Sequence, residues 1–254
     1  MEFPLSIQAF GYPIQIHAVT EVLSMFIGFR VFLYLRKRSG DFLNDEHRIW
    51  VVIAAAFGAL VGSRLIGGLE NYTALKNTDN LLLHFYGNKT VAGGLAGGLL
   101  FVELAKFVLK IKSPTGDLYT FPFIVALVIG RIGCFTMGVY EETYGIGSTL
   151  PWAIDLGDGV KRHPVTLYEI IFLVGLVAYI YWLSNRQQRA QGYSFRFFMV
   201  AYFVFRFLLD FIKPTYIWDI GLSTIQILSV VVLVWYSQFL KFPVAINKQK
   251  IKPL

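Results

Sequence analysis

Charge is scarce in this chain. Only 15% of its 254 residues are Asp, Glu, Lys or Arg, against roughly 25% in an ordinary soluble domain. That is too little charge to coat a water-facing globule, so a soluble protein is excluded. Cysteine is scarcer still. Cys134 stands alone, which excludes an intramolecular disulfide framework. Acidic residues number 16 against 23 basic ones, for a net charge of +7. A basic balance is one mark of nucleic-acid binding, but most of the basic residues here sit at the ends of apolar segments. That placement anchors a chain to anionic lipid headgroups and is not a basic groove, so membrane lipids and no nucleic acid are the expected partners. Met1 to Tyr12 contain no basic segment, and no cleavable signal peptide is expected. The sequence has no internal repeat, low-complexity tract or domain boundary, so residues 1–254 read as a single polytopic membrane domain. Small-solute transporters often carry repeated halves or matching broken helices, and that symmetry is missing. No metal or cofactor is expected.

What the chain has in abundance is apolar surface, with 56% hydrophobic and 17% aromatic residues. Seven stretches approach the roughly 20 residues a helix needs to cross the hydrocarbon core. They are Ile14 to Leu35, Trp50 to Leu69, the Gly-rich Val91 to Leu109, Tyr119 to Gly138, Val165 to Leu183, Phe195 to Ile212, and Leu222 to Leu240. The expected fold is therefore an all-α integral membrane protein with seven transmembrane helices. Gly62, Gly67, Gly68, Gly93, Gly94, Gly97 and Gly98 interrupt spans two and three; in a membrane such small residues let helix backbones approach closely. Basic residues crowd the loops on one side: Arg36, Lys37, Arg38 and Arg48, then Lys110 and Lys112, then Arg186, Arg189 and Arg196, and finally Lys241, Lys248, Lys250 and Lys252. The other side has Lys76, Lys89, Lys161, Arg162 and Lys213. The positive-inside rule predicts an outer N-terminus and a cytoplasmic C-terminus. The two longest loops, Glu70 to Thr90 and Val139 to Pro164, then form a small cap on the outer face.

Several ionisable residues fall within these spans: His17, Glu21, Arg64, Glu103, Arg131, Glu169, Arg206 and Asp210. Each is costly in hydrocarbon and usually faces a protein interior or a cavity. Glu103 has Lys106 three residues on and reads as a local ion pair. Arg131 and Arg206 sit amid apolar residues on separate spans. Two guanidiniums facing one cavity repel unless an anion lies between them, and arginine's planar fork matches a phosphate. With lipid as the solvent, the natural anion is a phospholipid phosphodiester. His17 and Glu21 are four apart and share a helix face; a carboxylate beside an imidazole raises its basicity and fixes its tautomer, as a general base requires. The same spacing also suits a purely structural hydrogen-bonded pair. Cys134 follows Arg131 by three residues, where it reads either as an activated thiol or as small packing material.

These residues resemble the bacterial prolipoprotein diacylglyceryl transferases over nearly the whole chain. The family's Gly-Arg-x-Gly-Asn-Phe-x-Asn-x-Glu lies over Gly130 to Val139, and its Arg-His-Pro-x-x-Leu-Tyr-Glu matches Arg162 to Glu169 without a gap. Its Gly-x-Arg is similar to Gly62-Ser63-Arg64, and its Arg-Phe-x-x-Glu-Phe to Arg206 through Phe211. A Gln-Ile-Leu-Ser run recurs at Gln226 to Ser229. The resemblance implies an inner-membrane enzyme that moves a diacylglyceryl group from phosphatidylglycerol to the cysteine thiol of a prolipoprotein precursor, releasing glycerol phosphate. It implies a phosphate clamp of Arg131 and Arg206, with Arg206 also acting in catalysis. Arg64, Tyr168 and Glu169 would shape the headgroup pocket, and His163 would stand at its outer rim. The departures concern the thiol-activating half. The family's span-three His-Gly-Gly is Ala92-Gly93-Gly94 here, and the two asparagines and the glutamate of the core signature fall on Cys134, Met137 and Val139. The base then comes from His17 with Glu21, or Glu141 and Glu142 substitute at a different spacing. The alternative is a divergent phospholipid-binding or lipid-transport relative that does not modify lipoproteins.

Overall fold

The computed structural model describes residues 3–9, 11–41, 43–186 and 191–241; Arg189, Lys248, Lys250 and Lys252 of the charge argument lie outside them. Two short strands, β1 (Ser6–Ala9) and β2 (Tyr12–Gln15), pair antiparallel and lead into α1 (Ile16–Ser39). The chain continues through α2 (Asp45–Glu70), α3 (Tyr72–Lys76), α4 (Leu81–Gly87), α5 (Val91–Val108) and α6 (Asp117–Met137). After the two-residue strands β3 (Ile154–Asp155) and β4 (Lys161–Arg162) come α7 (Val165–Arg186), α8 (Tyr193–Leu209) and α9 (Thr224–Lys241). The fold is predominantly helical, as expected, with two small hairpins added. Strands of two and four residues are too short to leave a period-two signal.

Among the described residues, five helices, α1, α2, α5, α6 and α7, are long and apolar enough to cross a membrane. Their outward sides carry Phe26, Phe29, Phe57, Leu100 and Ile171, all exposed. Such sides have no place in water, and the protein is a multi-pass membrane protein. α8 has 17 residues and continues in a 3-10 turn, Asp210–Ile212.

The helices alternate in direction. Gly58 of α2 packs on Gly97 of α5 and Gly62 on Gly93; a Cβ added at Gly62 would lie 2.8 Å from the Gly97 Cα. These backbones touch because no side chain intervenes, the close approach that glycine permits between membrane helices. α1 runs against α6, with Gly28 beside Pro122 and Ala126 near one end and His17 and Thr20 beside Gly133 near the other. The starts of α5, α7 and α9 and the ends of α2, α6 and α8 therefore share one end of the bundle.

That end carries the long loops. The Asn71 amide donates to Glu142 Oε1 at 3.0 Å, and Tyr72 packs on Tyr216 and Trp218. The chain leaves α6 at Gly138, whose positive φ and contact with Phe3 exclude a Cβ. The Leu5 amide donates to the Thr136 carbonyl at 2.8 Å, which ties the first hairpin to this corner. At the opposite end Asp41 accepts from Arg36 and Arg48 and joins α1 to α2. Burial alone would raise the Asp41 pKa, but Arg48 and Arg36 hold it below the ordinary carboxylate value. The main core lies between α5, α6, α7, α8 and α9, where Ile124, Leu173, Phe198, Tyr202, Phe203 and Ile225 are fully buried or nearly so.

A β-branched side chain in the α2–α5 seam has nowhere to go. Gly62→Val should lower stability by at least about 1–3 kcal/mol, the usual cost of overpacking, read as a lower thermal midpoint in detergent; an unchanged midpoint would mean the helices part without cost.

Candidate functional site

A cavity of about 1160 Å³ runs between the helices. At the long-loop end its walls carry His17, Arg64, Glu70, Lys89, Arg131 and Arg206 among others. Its middle is apolar, with Val51, Ala55, Leu95, Leu99, Val102 and Leu127. At the opposite end Lys106, Lys112 and Arg196 line it. Such a polar-ended, apolar-waisted hollow fits an amphiphile.

The centre of the charged end is Glu169, 2% exposed near the start of α7. Its Oε2 lies 2.8 Å from Arg131 Nε and 3.5 Å from Arg206 Nη1. Its Oε1 accepts the Tyr202 hydroxyl at 2.8 Å. Arg131 comes from α6 and Arg206 from α8, so three helices meet on one carboxylate. The two guanidiniums do face one cavity, but the anion between them belongs to the chain. The sequence reading gave that place to a phosphodiester. Part of the clamp's hydrogen-bonding capacity remains unused, because the buried Arg206 Nε has no partner among the described residues.

His17 stands beside this group. Its Nδ1 is 3.5 Å from Glu141 Oε2 and its Nε2 is 3.9 Å from Glu21 Oε2. Glu21 also receives Lys89 Nζ at 3.0 Å. Arg131 Nη1 donates to Cys134 Sγ at 3.7 Å. The seating of α1 depends on Gly133, where a Cβ would lie 3.1 Å from His17 Nδ1 and 3.2 Å from Thr20 Cβ. The pair His17 and Glu21 thus shares the cavity with the arginines. Arg64 lines it too, donating to the Tyr86 carbonyl with its guanidinium over the Tyr86 ring.

Two residues assigned to the pocket by resemblance lie elsewhere. Tyr168 and His163 do not line the cavity. The Tyr168 hydroxyl accepts from Trp152 Nε1 at 2.8 Å and lies 3.2 Å from His163 Nδ1, an arrangement that braces the segments flanking β3 and β4 on α7. Adjacent positions on a helix point about 100° apart, so only one of Tyr168 and Glu169 turns inward. Asp210 accepts from Ser223 and from Thr215 Oγ1 and ties α8 to the start of α9. Ala92 is fully buried in the core and off the cavity wall. Three contributors went unassigned in the sequence: Tyr202, hidden in an aromatic run, and the pair Glu70–Lys213 at 2.9 Å, which only the fold brings together.

Fold and site together define a helical membrane protein with a buried arginine–carboxylate centre in a lipid-sized cavity. The chain belongs to the prolipoprotein diacylglyceryl transferase family, whose pattern matches residues 4–240. A phosphatidylglycerol–prolipoprotein diacylglyceryl transferase of Geobacter sulfurreducens is 31% identical over 186 residues, covering 69% of this chain and 68% of that protein. The protein of that name from Nitratidesulfovibrio vulgaris is 29% identical over 177 residues, and the match spans 64% of its length. The one from Finegoldia magna is 26% identical over 232 residues, covering 89% of each chain.

Removing the shared anion leaves two buried cations unneutralised. Glu169→Gln should destabilise the protein by about 3–5 kcal/mol, and added phosphatidylglycerol should restore part of the loss. Thermal unfolding in detergent with and without the lipid measures both; equal stability of variant and wild type would show that the arginines are neutralised elsewhere.

Proposed function

We propose that this chain transfers the diacylglyceryl group of phosphatidylglycerol to the cysteine thiol of a prolipoprotein, as its relatives' names describe. The observation that carries this reading is the centre of Arg131, Glu169 and Arg206 inside a lipid-sized cavity. Two guanidiniums and one carboxylate leave a single net positive charge, which one phosphodiester neutralises. The apolar waist takes the acyl chains. In the reaction the acceptor sulfur bonds to the glyceryl carbon, the carbon–oxygen bond to phosphate breaks, and glycerol phosphate departs. Arg131 and Arg206 stabilise the charge gathering on the departing phosphate, an electrostatic contribution often worth several kcal/mol. Arg64 and Glu169 shape the headgroup end. The thiol's proton goes to His17, which stands between Glu21 and Glu141. Tyr168 and His163 support the loop over this end.

The same reading places the protein in a bacterial inner membrane as one seven-span domain, with α8 and its 3-10 extension and α9 as the sixth and seventh spans. The N-terminus is then outside and the C-terminus cytoplasmic, following the basic loops. The burial of Ala92 at the family's histidine position favours a second reading, a phospholipid-binding relative without lipoprotein-modifying activity. Purified protein given phosphatidylglycerol and a lipobox peptide separates the two: thioether product supports the enzyme, and lipid binding without product supports the relative. Complementation of a strain depleted of its authentic transferase asks the same question in the cell.

Arg131→Ala should cut turnover by about 10²-fold or more, and Arg131→Lys should recover little, because a point charge does not reproduce a bidentate phosphate contact. Full activity of the lysine variant would leave charge alone as the requirement. His17→Ala should lower transfer by about 10²–10⁴-fold while phosphatidylglycerol still binds, with Glu21→Gln milder; wild-type rates in His17→Ala would move the base to Glu141, Glu142 or Glu169.

A further inference from the structure

Where α1 meets the last turn of α6, three side chains of different chemistry converge. His17 Nδ1, Cys134 Sγ and a carboxylate oxygen of Glu141 all lie within 4.8 Å of one another. Imidazole, thiolate and carboxylate are the donors that zinc takes, at about 2.0–2.3 Å. Tetrahedral angles then set donors roughly 3.3–3.8 Å apart. His17 Nδ1 and Glu141 Oε2 already stand at 3.5 Å. The sulfur needs a shift of roughly 1 Å to join them, within the reach of side-chain rotation.

Two further observations point to an ion. His17 Nδ1 and Glu141 Oε2 are both buried and make no hydrogen bond among the described residues, a costly state for two polar atoms that face each other. On the far side of the ring, Glu21 Oε2 lies 3.9 Å from His17 Nε2. Metal-bound histidines typically give their second ring N–H to a carboxylate, which fixes the tautomer that leaves the first nitrogen free for the metal; Glu21 stands on the right side of the ring for this and has to close by under about 1 Å to reach hydrogen-bond distance.

We propose that His17, Cys134 and Glu141 form a binding site for one divalent ion of the zinc class. Thiolate and carboxylate match its two charges, and the neutral imidazole completes three protein ligands. All three line the cavity, so the fourth position opens into it. Binding releases the thiol proton to solvent. With Nδ1 on the ion and Nε2–H directed to Glu21, the ring has no nitrogen left to accept a proton, so bound zinc and a basic His17 exclude one another.

The test uses the full chain in detergent, stripped with a chelator and titrated with Co²⁺ as a spectroscopic probe. One equivalent should bind with a thiolate-to-cobalt charge-transfer band, and Zn²⁺ should abolish that band by displacement. Cys134 is the only cysteine, so the band reports this site alone. Cys134→Ser should lose the band, and Glu141→Gln should weaken binding about tenfold or more. Unaltered wild-type membranes give a second readout, in which Zn²⁺ should protect Cys134 from maleimide and a chelator should reverse the protection. Absence of the band, absence of protection, or binding unchanged in both variants overturns the proposal. None of these readouts uses transfer activity, so a failed transferase reading leaves the metal result standing, and the reverse holds too.

Discussion

A buried carboxylate shared by two arginines constrains the rest of this structure. An isolated buried guanidinium is expensive, and two side by side add repulsion. Glu169 makes both tolerable at once, and only in one geometry: α6, α7 and α8 must all present their charged residues to the same point. Tyr202, itself fully buried, fixes the carboxylate by holding its other oxygen. The registers of three helices are thereby coupled to one shared ion pair, and apolar packing around Phe198, Leu173 and Ile225 surrounds it.

The other wall of the cavity follows a different logic. α2 and α5 meet through backbone at Gly58, Gly62, Gly93 and Gly97. Lipid tails are as apolar as leucine, so membrane helices gain little from burying apolar side chains and rely on close van der Waals contact instead. A seam without side chains frees neighbouring positions, Ser63, Arg64, Gly94 and Leu95, to face the cavity. One wall is thus held by charge and the other by shape.

Much of this was legible in the sequence, and what was not has a common cause. Five of the spans, the deep arginines and the motif around Glu169 are local signals carried by composition and spacing. What occupies the space between two arginines depends on a third helix, and no periodicity within α6 or α8 names α7 as the source. Hence the counter-ion was sought in lipid when it lay on the chain. The resemblance implied both Tyr168 and Glu169 in the pocket, yet adjacency on a helix means divergence in space. The nearness of His17 to Cys134 and Glu141 depends on α1 pairing with α6, more than a hundred residues away in sequence, and on the absence of a side chain at Gly133. The N-terminal hairpin has strands too short to announce themselves.

The cavity also bears on the membrane's electrical insulation. Ionisable groups line both of its ends, and only a waist of Leu95, Leu99, Val102 and Leu127 separates them. Flooded with water, such a hollow would be a short circuit for protons; a hydrophobic constriction prevents this by staying dry. On the reading proposed above, hydrocarbon chains in the waist would serve the same end, a lipid there working as a gasket, and each exchange of lipid would leave the barrier to the bare side chains alone.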